Sequence, residues 1–478
     1  MNLAPIFGAH PYAKVILETL HRRGHDAALV GGVVRDALRA QQAKRRDFVA
    51  REVDLASDAS PQQVRRLFSG WKTLEVGKAF GVIVLLAPDG RRYELASYRG
   101  ESDYDGRRPA RVRLVRSLER DLKRRDFTVN GLAARLDGAV VDVVGGVADL
   151  EAGVIRTIGD PQRRFWEDGL RLLRAVRFAC ALGARIEPRT ARALAQNSRR
   201  LERVSAERVR DEFFKVLATP RAKRGIELLE RFGVLALFLP ELCALKGVPQ
   251  PPQYHPEGDV WTHTLLALGW ADRLRLDPLL KLAVLLHDVG KPEALRCNEG
   301  RHAGGHEHVG RQIVVTVGER LKLSASERNA LALTTEEHMR VARLPQMHLA
   351  KQLRFVTSGT TPHAPDGSLP RHFPRWAALL SVLLCDAQAS VHRASAWLPV
   401  LQRTVAVGLR LHDLAQLERA HKLLDGNDVL RLGLNPGPAV GRVLEAVYDR
   451  VFSGEIHDRE HALEAARRWI ERHGLDAG

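Results

Sequence analysis

The feature that most constrains this chain is a short apolar run that ends in two glycines and is followed, about twenty residues later, by two carboxylates. The run Ala27–Val30 meets Gly31 and Gly32, and the acidic pair is Glu52 and Asp54. Because glycine lacks a Cβ atom, backbone N–H groups at the start of a helix can approach a polyphosphate there. Carboxylates two residues apart on a strand face the same side and can share Mg²⁺ ions. The pattern therefore predicts a nucleotide phosphate site beside a magnesium site.

The helix that follows the glycines supplies a further phosphate contact, since Arg35 lies near its start. Each half of the pattern is common: most glycine pairs only form a turn, and most Glu-x-Asp pairs on a basic protein are solvated. Their order is more specific, and it resembles the entry motif of the DNA polymerase β superfamily. The string GGVVRDAL followed by two carboxylates is similar to class II tRNA nucleotidyltransferases, the CCA-adding enzymes, and to their bacterial poly(A) polymerase relatives. The resemblance implies Mg²⁺-dependent nucleotidyl transfer.

One position departs from that family. The family normally has Asp-x-Asp, whereas the first carboxylate here is Glu52, and the connection before it, Lys44–Arg51, is longer and more basic than usual. Glutamate still ligates Mg²⁺, but its extra methylene shifts the oxygen by about 1 Å, a displacement that can lower a rate by about 10²-fold. Glu52 and Asp54 are therefore predicted to be the catalytic metal ligands.

Two apolar runs, VIVLLA and YELASYR, are separated by a Pro-Asp-Gly-Arg turn and predict a β-hairpin. The hairpin would extend a mixed sheet whose first strands are Ala27–Val30 and Glu52–Ala56. Glu94, in the second strand of the hairpin, is either a third acidic group at the metal site or a surface carboxylate.

A second motif lies in DLKRRDFTVNGLA, where Arg125, Asp126 and Asn130 recur at helical spacing. These side chains offer a charged donor, an acceptor and an amide, which suit a triphosphate and a ribose. A capped helix beginning at Asp126 is the alternative explanation. The string is similar to the class II motif RRDFTxNAL, with Gly131 in place of alanine. The resemblance implies that these residues bind the nucleotide.

A third motif, EDGLRLLRAVRFA, carries charged residues beside an apolar stripe and predicts an amphipathic helix with salt bridges. It is also similar to the nucleotide-selecting motif of the same family. The resemblance implies that Asp168 and Arg171 pair with the Watson–Crick edge of the incoming base and that Arg174 lies near the triphosphate. Aspartate accepts from an amino group, and arginine donates to ring nitrogen or carbonyl acceptors.

A separate set of histidines and aspartates follows the Pro-rich stretch near residue 250. His263, the adjacent pair His287 and Asp288, and Asp386 lie within or at the end of apolar helical segments. A buried charged residue there needs a partner, and a metal ion provides one. The order resembles the HD phosphohydrolase superfamily, and three more histidines are additional candidate ligands: His306, His308 and His338.

The ligand types of this second set point away from magnesium. Imidazole and carboxylate together suit Ni, Mn, Fe, Co or Zn. Such an ion activates water against a phosphoester, so the resemblance implies a second, hydrolytic activity. The alternative is a relic fold that only holds RNA.

The charge of the chain indicates a polyanionic partner. Among 478 residues, Lys and Arg number 74 and Asp and Glu 57, which makes nucleic acid a better candidate than a membrane. The sequence has no run of eighteen apolar residues and no signal-peptide pattern at its N-terminus, so a cytoplasmic location is expected.

The predicted fold class is α+β. A small mixed-sheet head similar to DNA polymerase β is expected over residues 1–157, and a helical neck that selects the nucleotide over 158–250. An HD domain is expected over 251–395 and a helical tRNA-binding tail over 396–478. The oligomeric state is not predicted.

The resemblance implies an enzyme that extends the 3′ end of tRNA with C, C and A from CTP and ATP. Two alternatives stay open. Enzymes that add only CC, only A or a poly(A) tail share the same head motifs. The alternative from a different class is an RNA-binding HD phosphohydrolase whose head is inactive, for which Glu52 is the supporting feature.

Overall fold

The computed structural model of the protein describes residues 1–45, 47–76, 81–104, 109–348, 351–352, 355, 375–390, 395–410, 423–452 and 454–473. Packing divides the chain into two compact units, Met1–Cys243 and Ala244–Gly478. Both helices and a mixed sheet are present, which confirms the α+β class.

The first unit begins with a sheet and the helices that cover it. Its elements run α1 (Ala4–Ala9), α2 (Pro11–Arg22), β1 (Ala27–Val30), α3 (Gly32–Gln42), β2 (Asp54–Ser57), α4 (Pro61–Leu67), β3 (Lys72–Val76), β4 (Val82–Leu86), β5 (Arg92–Ser97), β6 (Arg99–Tyr104), β7 (Pro109–Leu114), α5 (Leu118–Lys123), β8 (Leu132–Ala134), β9 (Val140–Asp142), α6 (Gly146–Glu151) and β10 (Val154–Ile155). A short 3₁₀ helix, Thr128–Asn130, precedes β8.

The central sheet has the strand order β3-β4-β5-β2-β1-β8-β9. Strand β1 is buried along its whole length, as expected for a central strand. The hairpin β4–β5 is antiparallel and confirms the prediction, whereas β2 and β5 run parallel, with Asp54 aligned to Glu94. Strand β2 begins at Asp54, so Glu52 precedes the strand instead of lying within it.

The remainder of the first unit is mostly helical. It comprises α7 (Pro161–Glu167), α8 (Leu170–Leu182), β11 (Arg185–Ile186), α9 (Pro188–Gln196), a 3₁₀ helix (Ser198–Arg203), α10 (Ala206–Leu217), α11 (Ala222–Arg231), a 3₁₀ helix (Leu235–Leu237) and α12 (Pro240–Cys243). Its apolar side chains, such as Phe165, Leu173 and Phe213, are fully buried.

Two predicted helices are not continuous. Residues 124–133 form a turn, the 3₁₀ helix and the start of β8, because Phe127 is extended and pairs with Thr157. The helix predicted over the third motif is interrupted at Asp168 and Gly169, between α7 and α8. A Cβ atom on Gly169 would lie 2.4 Å from the carbonyl oxygen of Arg200, so this close approach requires glycine. The break places Asp168 at the end of α7.

The second unit is helical throughout the part of it that the structure describes. Its helices are α13 (Val260–Arg273), α14 (Pro278–Leu286), α15 (Lys291–Cys297), α16 (His306–Arg320), α17 (Ala325–Val341) and a 3₁₀ helix (Leu344–Gln346), followed by Arg375–Ala389, Trp397–Arg410, Gly426–Arg431, Pro438–Phe452 and Arg459–Arg472. The last three helices pack around their own core, which includes Val443, Val447 and Ile470. Among the described residues, no helix combines the length and apolarity needed to cross a bilayer.

Candidate functional site

The two glycines after β1 form the tight turn that opens α3. Gly31 has a φ of 72°, which disfavours any residue with a Cβ atom, and Gly32 is the first residue of the helix. A Cβ atom on Gly31 would lie 2.9 Å from Nη1 of Arg125 and 4.0 Å from Oδ2 of Asp54. The turn therefore lies directly against a guanidinium and a carboxylate, and a side chain there would displace them.

Three carboxylates converge beside this turn. The alignment of Asp54 with Glu94 on neighbouring parallel strands places both side chains on one face of the sheet. Desolvation raises the pKa of Glu94, and the charges of Asp54 and Glu52 raise it further. Desolvation likewise raises the pKa of Asp54, and the charge of Glu52 adds to the increase. This mutual repulsion is relieved when a divalent cation binds, and oxygen ligands of this kind suit Mg²⁺.

The predicted nucleotide-binding side chains form one hydrogen-bonded chain. Arg35 donates from Nη1 to Oδ1 of Asn130 (2.6 Å), and Asn130 donates from Nδ2 to Oδ1 of Asp126 (3.1 Å). Asp126 also accepts from Nε of Arg174 at 2.7 Å through its other oxygen. Burial opposes ionisation of Asp126, but Arg174 and Asn130 outweigh it and lower its pKa to about 2. The two arginines are thus fixed in position by an anion and an amide between them.

The two residues predicted to read the base are brought into the same cleft but do not pair with each other. Asp168 accepts from the backbone N–H of Leu170 at 3.0 Å and from Nη2 of Arg208 at 2.9 Å. Arg171 is buried and donates to Oε2 of Glu167 at 2.7 Å. Asp168 and Arg171 are therefore each held by a separate charged partner.

The glycines, the three carboxylates and the predicted nucleotide-binding residues line a single cleft of ≈ 1780 Å³ in the first unit. The cleft also contains residues that the sequence reasoning did not assign to the nucleotide site, among them Phe178, Arg177, Arg208 and Lys215. The guanidinium of Arg177 lies 4.1 Å from the ring centre of Phe178, and those of Arg35 and Arg174 each lie 5.3 Å from it. The helical spacing of Arg174, Arg177 and Phe178 in one motif was the available signal for this cluster.

A second site lies in the other unit, where the predicted HD residues are buried together. Nε2 of His263 lies 3.1 Å from Oδ1 of Asp386, and Nε2 of His287 lies 3.2 Å from Oδ2 of Asp288. Neither Nε2 atom makes a hydrogen bond to any residue that the structure describes. Buried ring nitrogens facing carboxylate oxygens in this way fit a divalent transition metal.

The two additional histidines face the same aspartate. Nε2 of His306 lies 3.3 Å and Nε2 of His338 3.7 Å from Oδ1 of Asp288. Burial lowers the pKa of His338 to about 4, so this ring is neutral at neutral pH. His308, by contrast, is exposed and lies 3.6 Å from Glu336, away from the cluster. The structure thus gathers all the predicted HD residues except His308.

The sequence reasoning missed two residues behind His263. Oε1 of Glu257 lies 2.6 Å from Nδ1 of His263 and 2.9 Å from Nδ1 of His255. Burial opposes ionisation of Glu257, but the two histidines lower its pKa to about 2. Burial also opposes a charged His263, but Asp386 and Glu257 raise its pKa to about 9. The spacing HPEGDVWTH, with all three residues in one short segment, was the available signal.

Comparison with known families assigns three parts of the chain. Residues 27–156 match the poly(A) polymerase head domain, residues 183–246 match the probable RNA- and SrmB-binding site of polymerase A, and residues 260–357 match the HD domain. These segments contain the glycine turn, the neck helices and most of the buried histidine cluster.

Comparison with individual proteins gives one family. The chain is 39% identical over 463 residues to the CCA-adding enzyme of Lactobacillus gasseri, covering 97% of both chains. It is 44% identical to that of Bacillus subtilis over 218 residues, which are 45% of this chain and 52% of the relative. The chain thus spans about half the length of the first curated relatives it matches. The crystal structure of the Bacillus stearothermophilus CCA-adding enzyme in complex with CTP is 27% identical and superposes with a TM-score of 0.64 over 98% of both chains.

Proposed function

The chain belongs to the family of CCA-adding enzymes, and on this premise we propose that it extends the 3′ end of tRNA with C, C and A from CTP and ATP. The observation that supports the proposal best is the alignment of Asp54 with Glu94 beside the glycine turn. That arrangement places carboxylates and a phosphate-binding turn within one cleft. A cytoplasmic location and the four domain boundaries stay predictions of the sequence.

In this proposal, Glu52 and Asp54 hold Mg²⁺, with Glu94 as a third acidic group. When bound, Mg²⁺ lowers the pKa of the attacking 3′-hydroxyl and offsets the charge of the departing pyrophosphate. Glu52 precedes β2, so its longer side chain reaches the site from the loop and not from the strand.

The triphosphate is bound by groups that are already ordered. The backbone N–H of Gly32, at the start of α3, faces it, whereas that of Gly31 donates to the carbonyl oxygen of Leu132 at 2.9 Å; Arg35 and Arg125 carry the positive charge. Arg174 joins them through Asp126, which with Asn130 fixes the guanidinium before substrate arrives. Because the cations are held in place, little order has to be imposed during binding.

The base is selected by Asp168 and Arg171, which accept from and donate to its Watson–Crick edge. Their present partners, Arg208 and Glu167, fix the direction of each group in the cleft. The protein would then act as its own template. The basic neck and tail hold the tRNA through its phosphates, which makes binding salt-dependent.

The test uses purified full-length protein, tRNA that lacks its 3′ CCA, and each labelled nucleoside triphosphate separately and together. Incorporation of C followed by A supports the proposal, and incorporation of A alone or C alone identifies the narrower enzymes. A long A tail on any RNA end identifies a poly(A) polymerase. Incorporation of no nucleotide contradicts nucleotidyl transfer altogether.

A matched pair of variants tests Glu52, the carboxylate that differs from the Asp-x-Asp of the family. We expect Glu52→Ala to lower the rate of incorporation by about 10²-fold, because a metal ligand is lost or misplaced. Glu18→Ala is the control, since Glu18 lies on α2, outside the cleft, and pairs with Lys14. Full activity of Glu52→Ala would remove Glu52 from the metal site and leave Asp54 with Glu94.

The buried histidine cluster supports a second function, metal-dependent hydrolysis of a phosphoester by the second unit. His263, His287, Asp288 and Asp386 would hold a divalent ion such as Ni, Mn, Fe or Co. When bound, the ion supplies activation of water. Release of phosphate or opening of a 2′,3′-cyclic phosphate, dependent on added transition metal and insensitive to Asp54→Asn, would support it. Absence of hydrolysis with every metal would favour a fold that only holds RNA.

A further inference from the structure

An exposed tryptophan lies on α7, two residues before Asp168. Trp166 has 41% of its surface exposed, more than any other tryptophan whose burial the structure describes. Its neighbours in sequence, Phe165 and Glu167, are buried, so the backbone is fixed on both sides of the ring. Tryptophan carries a large apolar surface that proteins usually cover, and it is enriched at interfaces. An indole held in solvent by a packed helix therefore indicates a partner.

The surface beside this ring is basic. The 3₁₀ helix Ser198–Arg203 carries one glutamate, Glu202, and three arginines, Arg199, Arg200 and Arg203. Among the described residues, no carboxylate forms an ion pair with any of these arginines. The guanidinium of Arg200 lies 5.5 Å from the centre of the Trp166 ring, within the range of a cation–π interaction. We call the tryptophan and the three arginines the indole patch, and its uncompensated charge suits a polyanion.

The indole patch is held together by contacts within the chain. Gly169 lies directly against the backbone of Arg200, because a Cβ atom there would overlap the carbonyl oxygen of that residue. The side chain of Gln162, one helical turn before the tryptophan, donates a hydrogen bond to Gln196 and accepts one from Asn197. These contacts join α7 to the segment that carries the arginines. The ring and the positive charges are therefore in place before a partner binds, which lowers the cost of binding.

An aromatic ring among arginines suits single-stranded nucleic acid. Every base has a π-face, so a base stacks on an indole whatever its identity, and guanidinium groups bind the phosphates beside it. Arg200 lies over one face of the Trp166 ring, and the exposed part of the residue is open to a base. Bases within a double helix are already stacked on one another and paired. The indole patch therefore fits an unpaired segment.

The position of the indole patch selects the segment. Trp166 lies outside the cleft that the described residues form, but a step of two residues to Asp168 spans at most about 7 Å. In the proposed function the incoming base lies at Asp168, and the terminal nucleotide of the tRNA presents its 3′-hydroxyl to the carboxylates inside the cleft. The nucleotide before the terminal one lies one step farther from those carboxylates. Its base is the one that the ring is placed to hold.

We propose that Trp166 stacks on the unpaired tRNA base that precedes the 3′-terminal nucleotide, an inference that rests on the proposed addition of CCA. Arg199 and Arg203 bind phosphates of the same strand, and Arg200 supports the ring. The contact is independent of base identity and strengthens tRNA binding without touching the incoming nucleotide. Loss of the ring therefore weakens the binding of tRNA more than it slows the chemical step.

The experiment uses full-length protein and tRNA that ends in CC, with either cytidine or an abasic nucleotide at the penultimate position. Anisotropy of fluorescently labelled tRNA measures binding, and a quenched time course measures addition of A. We expect Trp166→Ala to raise the Kd and the KM for tRNA by about 10-fold and to change kcat by less than about 2-fold. On abasic tRNA, the variant and the unaltered protein should bind equally tightly. An equal loss on both RNAs, or no loss on either, would overturn the proposal.

Two further substitutions separate stacking from packing within the protein. Trp166→Phe should retain most of the affinity for tRNA, because a smaller aromatic ring still stacks on a base. Trp166→Leu should lose as much affinity as Trp166→Ala, because leucine is apolar but has no π-face. Circular dichroism checks that every variant is folded. Full affinity of Trp166→Leu would show that the position needs only an apolar side chain and would overturn stacking.

The arginines are tested through the salt dependence of binding. Arg203→Ala should weaken tRNA binding and lower the slope of log Kd against log salt concentration by about 1, as expected for one lost phosphate contact. Arg23→Ala is the matched control, because Arg23 is exposed at the end of α2 and precedes β1, at the end of that strand opposite the glycine turn. The control should keep the slope of the unaltered protein. Equal slopes for the two variants would overturn the phosphate contact.

Binding measured without ATP separates this inference from the function on which it rests. If the unaltered protein adds no A but Trp166→Ala still weakens tRNA binding, nucleotide transfer is refuted and the RNA contact is supported. If Trp166→Ala adds A with the KM of the unaltered protein, transfer is supported and the contact is refuted.

Discussion

The cleft of the first unit and the buried cluster of the second unit both gather carboxylates, but they differ in what surrounds them. In the cleft, Asp54 lies at an open mouth and arginines from several elements line the walls. In the cluster, His263, His287 and Asp288 are almost completely buried, and imidazole nitrogens replace the arginines. The first arrangement suits a large polyanion that arrives and departs, and the second suits an ion that stays.

The difference shows how each site manages charge before a ligand is present. The cations of the cleft are held by fixed partners, as when Asp126 and Asn130 hold Arg174 and Arg35. The cluster instead brings lone pairs and negative charges together and so depends on protons or metal ions. Perturbing one site should therefore leave the chemistry of the other unchanged.

The largest expected effect comes from Asp54→Asn. In the proposed mechanism the variant loses a charged metal ligand, so we expect nucleotide incorporation to fall by at least about 10³-fold. Metal-dependent hydrolysis by the second unit should stay at the level of the unaltered protein. A quenched time course of labelled CTP incorporation measures nucleotide transfer, and phosphate release measures hydrolysis. A parallel loss of both activities would show that the two sites are not independent.

Asp288→Asn should have the converse effect. We expect hydrolysis to fall by about 10²-fold or more because Asp288 faces His287, His306 and His338, whereas CTP and ATP incorporation should change less than about 2-fold. Glu293→Gln is the control, since Glu293 is on the neighbouring helix α15 and pairs with exposed Arg296. Loss of incorporation in Asp288→Asn, with normal circular dichroism, would contradict the separation of the two regions.

A smaller effect is expected for Arg208→Ala, which removes one of the two groups that hold Asp168. We expect the ratio of kcat/KM for CTP over UTP to fall by about 10-fold, because a less fixed carboxylate discriminates less well between an amino group and a carbonyl. Arg210→Ala is the control on the same helix, where Arg210 pairs with Asp211. A uniform decrease for all nucleotides would instead indicate a structural role.

The smallest effect concerns stability in acid. It tests whether the ionised Asp126 of the cleft stabilises the folded protein before any ligand is bound. The pKa of Asp126 is lowered from 3.8 to about 2 in the folded protein. A lowered pKa contributes stability that is present above pH 3.8 and is lost as the pH falls through about 2, and its size is about 2 kcal/mol. The free energy of unfolding is measured by denaturant titration for the protein and for Asp126→Asn. The difference between the two proteins should be about 2 kcal/mol smaller at pH 2 than at pH 5. An unchanged difference would refute the shift.

Much of the cleft could be predicted because its groups lie close together in sequence. Gly31, Gly32 and Arg35 occupy one turn, and Arg125, Asp126 and Asn130 another, so short-range patterns were enough to select them. The predicted spacing was right even where the predicted helix was wrong, since a turn and a 3₁₀ helix also bring these side chains together. The mixed sheet and the hairpin followed from alternating apolar runs.

The remaining features depend on contacts between distant parts of the chain. The role of Glu94 was left open because only the parallel pairing of β2 with β5 aligns it with Asp54. Arg208 lies forty residues from Asp168 and is joined to it by the break at Gly169. Glu257 was not singled out from the sequence, because only the packing of the folded chain places it against His263. Long-range register and burial are not encoded in local spacing.

The parallel pairing of β2 and β5 also makes the proposed activity depend on the correct register of these two strands. A shift of one residue between these strands would replace Glu94 by Tyr93 or Leu95 opposite Asp54 and would turn the acid toward the other surface of the sheet. No partly slipped form of the head can therefore retain the acidic trio. A newly synthesised molecule that incorporates nucleotide must therefore have strands β2 and β5 paired in the native register.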